Sequence, residues 1–78
     1  MHELSLMEDL VTAVTSEVGG ARVHVVRLVV GQRAGASPHA LRFCFDICVC
    51  GTALEGAALD IVETDGDELQ LQEVEVGC

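Results

Sequence analysis

The sequence predicts an α/β fold, a two-layer sandwich in which two helices cover a three-stranded sheet in the order α-β-α-β-β. Three patterns predict it: two segments with apolar residues every three or four positions, one β-branched run, and two alternating segments that flank an Asp-Gly pair. With 78 residues, 50% of them apolar, the chain is large enough for one small domain with its own core.

The first helix is predicted over residues 4–18. Its apolar side chains recur at helical spacing: Leu4, Met7, Leu10, Val11, Val14 and Val18. Gly19-Gly20 supplies the signal that ends it.

The first strand is predicted over residues 21–30, a run too apolar for strict alternation. Its side chains divide between two faces, with Val26, Leu28 and Val30 on one and Val25, Arg27 and Val29 on the other. We expect the second face to be partly covered as well, and a partner protomer is one candidate for the cover.

The second helix begins at Ser37-Pro38, with serine as the N-cap and proline at the first helical position. It is predicted to run to Val49, and Gly51 ends it. Its predicted core face consists of Leu41, Cys44, Phe45 and Cys48.

The last two strands are predicted over residues 57–63 and 68–76. Asp65-Gly66 between them predicts a C-terminal antiparallel hairpin. The alternation of the last strand changes phase near Gln72-Glu73, which indicates a β-bulge or an edge strand that loses its pairing.

The net charge of −9 argues against binding to nucleic acid or to an anionic membrane, since both require a basic face. No apolar run approaches the ~20 residues of a membrane span, and no signal peptide opens the chain, so we expect a cytoplasmic protein. No phosphate-binding loop and no spacing typical of a catalytic triad is present, so we expect no enzyme.

The opening Met1-His2-Glu3 can form a metal site. The free α-amine of Met1, the backbone nitrogen of His2 and its imidazole Nδ1 can close two fused chelate rings in one plane, which suits Ni(II) or Cu(II). The fourth position stays open for the backbone or carboxylate of Glu3, another side chain or a ligand from a partner. The structural alternative is a terminus without function, in which Glu3 is an ordinary first-turn acid.

The four cysteines do not form a zinc motif, because Cys44-x3-Cys48-x-Cys50 contains no CxxC pair. Cys44 and Cys48 share one helix face, where reduced cysteine acts as a small apolar residue. Soft-metal binding by this pair is the alternative, and Cys78 is a candidate for intermolecular disulfides.

Two further histidines, His24 and His39, have no other ligand at metal-binding spacing. We expect both to be solvated surface residues. His39 could supply a second imidazole only if the fold brings the second helix near the N-terminus.

Several motifs, taken in order, resemble the HypA/HybF family of hydrogenase nickel-incorporation proteins. They are Met1-His2-Glu3-Leu4-Ser5-Leu6, Val26-Arg27-Leu28 followed by Val30-Gly31, Pro38-x-Ala40-Leu41-Arg42-Phe43-x-Phe45, Gly51-Thr52-x-x-Glu55-Gly56-Ala57, and Gly66-Asp67-Glu68-Leu69 leading into Glu73-Val74-Glu75-Val76. The similarity covers nearly the whole chain.

The resemblance implies a nickel metallochaperone for the maturation of [NiFe]-hydrogenase and, in some organisms, of urease. Its partners would be a GTPase of the same pathway and the hydrogenase large subunit. In the family the histidine is the essential nickel ligand, the N-terminal amine and nearby backbone nitrogens complete the site, and the glutamate matters for the partner or the site. By matching position, these roles fall on Met1, His2 and Glu3.

The chain departs from the family in one respect. Family members carry a zinc-binding domain with two CxxC pairs between the last two strands, whereas this chain has no CxxC and passes from Val62-Glu63 directly to Asp65-Gly66. We therefore expect one nickel-binding domain over residues 1–78, with the zinc-binding insertion absent between about residues 63 and 66, and no zinc.

Two other functions remain open at this point. The chain could be an interaction or dimerisation module of the maturation pathway without useful metal handling, since its sheet edge and its doubly apolar first strand suit protein contacts. It could also be a thiol-based redox or soft-metal module that uses Cys44 and Cys48.

Overall fold

The computed structural model describes residues 3–77, with two helices and three strands in the predicted order. The elements are α1 (Glu3–Val18), β1 (Val23–Gly31), α2 (Pro38–Cys48), β2 (Ala58–Thr64) and β3 (Leu69–Val76). The predicted fold class is confirmed, because each element forms close to where the pattern placed it. Neither helix of this part of the chain is long and apolar enough to cross a membrane.

The predicted C-terminal hairpin is wrong, because β2 and β3 are not neighbours in the sheet. The strand order is β2-β1-β3, with β2 parallel to β1 and β3 antiparallel to it. A two-residue type I′ hairpin turn needs positive φ at both central residues, and neither Asp65 nor Gly66 has it. The central position goes instead to β1, the most apolar strand, where both of its edges are hydrogen-bonded.

The segment between β2 and β3 crosses the C-terminal end of β1. The backbone N–H of Gly31 donates to the carbonyl oxygen of Glu68 at 2.6 Å, and that of Gln32 donates to Thr64 at 2.9 Å. The N–H of Arg33 donates to Gly66 at 2.8 Å. These bonds satisfy the backbone groups at the end of β1 and hold the crossover against it.

The change of phase in the last strand is a bulge, the first of the two explanations that the sequence left open. Arg27 pairs with Glu73, but its neighbour Leu28 pairs with Leu71, so Gln72 is the extra residue of β3. The bulge keeps Leu71 and Val74 on the inner face of the sheet although they are three residues apart.

Both helices pack on the inner face of the sheet and enclose one core. Its buried residues are Met7, Val11 and Val14 of α1, Val23, Val26, Leu28 and Val30 of β1, Leu41 and Phe45 of α2, Val49 and Leu54 of the following loop, and Leu59 of β2. The expected division of β1 is confirmed, because Val26, Leu28 and Val30 are buried while Val25, Arg27 and Val29 are only half-buried.

The N-terminus of α2 has the cap that the sequence predicts. The side-chain oxygen of Ser37 accepts a hydrogen bond from the N–H of Ala40 at 3.3 Å, and Pro38 follows at the first helical position. Because Ser37 is held in an extended conformation, its own N–H points away from the helix and can bind another acceptor.

Candidate metal centre

Of the three predicted nickel ligands, the structure describes only Glu3. Met1 and His2 lie outside the described residues, and Glu3 is the first residue of α1. Its carboxylate Oε2 accepts a hydrogen bond from the backbone N–H of Ser37 at 3.2 Å. This contact joins residues 34 positions apart and brings the N-termini of the two helices together.

A groove lies beside this junction. Its lining comes from the end of β1, the loop before α2 and the edge of β2: Val30, Gly31, Gln32, Ala36, Pro38 and Glu63. Glu63 is exposed and contributes the carboxylate of this lining. The junction therefore has an oxygen donor nearby besides Glu3.

The two described histidines lie at different ends of the domain. His39 is exposed in the first turn of α2, two residues beyond the Glu3–Ser37 contact. His24 is near the start of β1, and its imidazole packs over Gly77. At about 3.3 Å per residue, the seven residues from His24 to Gly31 put some 23 Å between it and the α2 end of the strand. Among the described residues, the start of α2 lies beside Glu3, the first residue of α1, so a contribution of His39 to the predicted site stays a prediction.

The three described cysteines are free thiols on α2 and the turn after it. Cys44 and Cys48 are half-buried against the core, whereas the exposed Cys50 donates weakly to the carbonyl of Asp46 at 3.4 Å. Burial, the nearby Glu8 carboxylate and Cys44 raise the pKa of the Cys48 thiol, which disfavours the thiolate that a soft metal requires. Within residues 3–77, no three His, Cys, Asp or Glu side chains gather as a metal site.

A charged cluster that the sequence did not predict lies on the outer face of the sheet. The guanidinium Nε of Arg27 donates to Asp60 at 2.7 Å, and Nη1 lies 2.9 Å from Glu73 and 3.5 Å from Glu75. The hydrogen bonds to Asp60 and Glu73 raise the pKa of Arg27 further above its ordinary value. All four residues fall on outward-facing positions of their strands, and the sequence shows this alternation. The sequence does not show that they meet, because that requires β1 to lie between β2 and β3.

The chain matches a known protein family. Residues 1–69 match the family described as HypA, hydrogenase/urease nickel incorporation, metallochaperone. Among curated proteins, the hydrogenase maturation factor HypA of Nostoc punctiforme is 47% identical over 66 residues, which cover 85% of this chain and 58% of that protein. The HypA of Crocosphaera subtropica is 46% identical over the same length and coverage.

The chain thus spans less than two thirds of the length of these relatives. Among solved structures, the solution structure of the Ni metallochaperone HypA from Helicobacter pylori matches with a TM-score of 0.78. The match covers 97% of both chains at 19% sequence identity, so it shows a shared fold.

Proposed function

Because the chain belongs to the HypA family of hydrogenase and urease nickel-incorporation metallochaperones, we propose that it binds one Ni(II) ion as cargo and delivers it during maturation of a [NiFe]-hydrogenase. The ligands are the α-amine of Met1, the backbone nitrogen of His2 and its Nδ1, with Glu3 at the margin of the site. The proposed domain is the whole of residues 1–78 without a zinc-binding insertion.

The observation that carries this proposal is the hydrogen bond between the Glu3 carboxylate and the Ser37 N–H. It fixes the residue that follows His2 to the capped start of α2, so the chelating segment is tied to a folded element. A chelate whose last residue is held in place loses less conformational entropy on binding a metal.

A delivery protein must release its metal, and an incomplete planar set of nitrogen donors suits that task. Three donors from one short segment leave a position that a recipient's ligand can occupy, which opens a route for exchange. The proposed recipients and partners are a GTPase of the maturation pathway and the hydrogenase large subunit, with urease as a further target. No catalytic step is part of this function.

Isothermal titration with Ni(II) tests the proposal. We expect one nickel ion per chain for the protein with a free Met1 amine, and no stoichiometric binding for His2→Ala or for a variant with one extra residue before Met1. His24→Ala is the matched control, because it removes an imidazole at the far end of β1. Circular dichroism of each variant checks that the fold persists, and undiminished binding by either N-terminal variant would contradict the proposal.

The exposed edge of the sheet favours a second candidate, an interaction module without useful metal handling. Leu71 and Val76 of β3 are 44% and 52% exposed. Leu71 also lines a mostly apolar groove, together with Ala13, Val14, Glu17, Val18 and Val74. Analytical ultracentrifugation separates the two functions. The interaction module would be favoured by a tight dimer whose oligomeric state does not change when nickel is added, in a protein that binds no stoichiometric nickel in the calorimetric titration.

A further inference from the structure

We propose that the outer edge of β3 is a docking site for an extended segment of another protein, one whose side chains alternate between apolar and basic. The segment adds to the sheet as a fourth strand beside β3. The inference goes beyond nickel delivery and does not depend on it, because no predicted nickel ligand takes part. Three features of β3 carry it: its backbone edge, the groove on its inner face and the charge on its outer face.

The first feature is the backbone of β3. The strand order is β2-β1-β3, so within residues 3–77 β3 is paired with a strand along one edge only. An edge strand turns alternate N–H and C=O groups away from its neighbour, and an extended chain can bond to them. The bulge at Gln72 interrupts the edge, and residues 73–76 form a regular stretch beyond it. The added strand therefore lies along this stretch.

The second feature is a mostly apolar groove on the inner face of β3. Its lining comes from α1 and β3: Ala13, Val14, Glu17, Val18, Leu71 and Val74. Leu71 and Val76, which both pair with buried residues of β1, stay about half exposed. A strand added about 4.8 Å from β3 puts its own inward side chains beside these residues. The inward positions of the partner segment are therefore apolar.

The third feature is the negative charge on the outer face. Glu73 and Glu75 of the regular stretch, together with Asp60 of β2, share the guanidinium of Arg27. Three carboxylates around one cation leave a surplus of negative charge, and each of the three side chains is about half exposed. A basic side chain opposite Glu73 or Glu75 gains a favourable cross-strand pair. The outward positions of the partner segment are therefore lysine or arginine.

The same charge argues against a second copy of this chain as the occupant. In an antiparallel pair of two β3 strands centred on Val74, Glu73 of one copy stands opposite Glu75 of the other. Like charges directly opposite each other destabilise a sheet. The net charge of −9 adds repulsion between copies. A cationic segment of a different protein meets neither obstacle.

The other edge of the sheet, along β2, is a poorer match for a basic strand. The carbonyl oxygen of Leu59 in β2 already accepts a hydrogen bond from Nη1 of Arg42 at 2.6 Å. The guanidinium that makes this bond repels a basic side chain placed near it. The charges therefore direct a cationic strand to β3, and β2 offers matched control positions.

Binding of synthetic peptides to the full chain, measured by calorimetry, tests the proposal. The probe alternates valine and arginine over about eight residues, with both ends blocked. One control has the same composition with the two residue types in separate blocks, and the other alternates valine and glutamate. We expect the probe to bind at least about tenfold more tightly than either control. Equal affinity for any two of the three peptides that include the probe would overturn the proposal.

Nuclear magnetic resonance of the unmodified chain locates the added strand. The probe peptide should shift the backbone amide signals of β3 and slow the hydrogen exchange of those N–H groups in residues 73–76 that face away from β1. The amide signals of β2 should change less. Shifts confined to β2, or spread evenly over the chain, would overturn the assignment to β3.

Two variants of β3 separate the groove from the charge. Leu71→Gln makes the groove more polar, and Glu75→Gln removes one outward charge. Each should raise the Kd of the probe peptide by about two- to fivefold. The matched controls are Val62→Gln and Glu63→Gln on β2, which should leave it unchanged. Circular dichroism checks the fold, and an unchanged Kd in both β3 variants would overturn the proposal.

Sedimentation of the chain without peptide tests the competing occupant. We expect a monomer along this edge, because the glutamates of two copies repel each other. A dimer in which residues 73–76 are protected from hydrogen exchange would assign the edge to a second copy and overturn the proposal. The nickel titration is a separate measurement on other residues, so the proposed function and this docking site can fail independently.

Discussion

The carbonyl group of Gly66 fills the space that a side chain on Gly31 would occupy. This contact marks the place where the crossover from β2 to β3 passes over the end of β1. It lets the N–H groups of the β1 end reach the carbonyls of the crossover, including the 2.8 Å bond from Arg33 to Gly66. Two flanking strands can then be joined by a short segment, although they are not paired with each other.

The first prediction concerns this close approach. In Gly31→Ala the new Cβ would collide with the backbone of Gly66, which has no flexible side chain to move aside. We expect the free energy of unfolding to fall by about 1–3 kcal/mol, measured by urea denaturation. Gly66→Ala is the comparison variant, because the nearest atoms to its Cβ belong to the Glu68 carboxylate, a side-chain end that can move at the cost of its bond to Thr64. Equal losses of unfolding free energy in the two variants would contradict the prediction. They would mean that the crossover shifts to make room for a Cβ at Gly31.

The elements of this fold could be predicted from the sequence, but the order of the strands could not. Helix periodicity, the Ser37-Pro38 cap and the bulge at Gln72 are local signals that depend on neighbouring residues. The position of β1 between β2 and β3 depends on which strand gains most from two hydrogen-bonded edges, which is a property of the assembled sheet. Asp65-Gly66 is a local hairpin signal that this tertiary preference overrides.

Part of the candidate site could likewise be predicted from the sequence, and part could not. The chelating potential of Met1 and His2 follows from their covalent structure alone, and it stays a prediction because they lie outside the described residues. The contact between Glu3 and Ser37 joins the starts of two helices and carries no signal in either segment. The exposure of His39 was expected, whereas the position of the start of α2 beside Glu3 emerged only from the packing of the two helices.

The second prediction concerns the charge cluster on the outer face of the sheet. Arg27→Met leaves the carboxylates of Asp60, Glu73 and Glu75 without the cation that they share. We expect a lower thermal unfolding midpoint at low ionic strength. The loss should shrink by roughly half or more in 1 M NaCl, where the Debye length is about 3 Å.

Arg33→Met is the control for this variant, since it removes the same charge from an exposed side chain. It should lower the midpoint less than Arg27→Met does. A loss in Arg27→Met that is independent of salt would attribute the effect to packing of the arginine stem instead of to charge.

The third prediction is a pH dependence in the crossover. The hydroxyl of Thr64 donates to Oε1 of Glu68 at 2.7 Å, and this bond is the main cause that lowers the pKa of Glu68. A carboxyl whose pKa is lower in the folded state adds stability above its unfolded pKa of about 4.3. That stability is lost as the pH falls through the folded value.

Thr64→Val should therefore be less stable than the unmodified chain at pH 7, and the difference should narrow as the pH is lowered below about 4. A pH-independent remainder is expected, because the hydroxyl also accepts the N–H of Gly66 at 3.3 Å. Thr64→Ser keeps both bonds and is the control. Urea denaturation across this pH range measures the effect, and a difference that stays constant with pH would exclude the Glu68 bond as its source.

The last prediction separates two roles for Glu3, anchoring and direct ligation. Glu3→Gln keeps an oxygen that can accept the Ser37 N–H, whereas Glu3→Ala has none. If the side chain acts by anchoring, the glutamine variant should bind nickel with nearly the original affinity. The alanine variant should then bind several-fold more weakly, because the residue after His2 has lost its contact with Ser37 and the segment loses more conformational freedom on chelation. Calorimetric titration measures both. Equal weakening of the two variants would mean that the negative charge of Glu3, and not its hydrogen bond to Ser37, supports the metal.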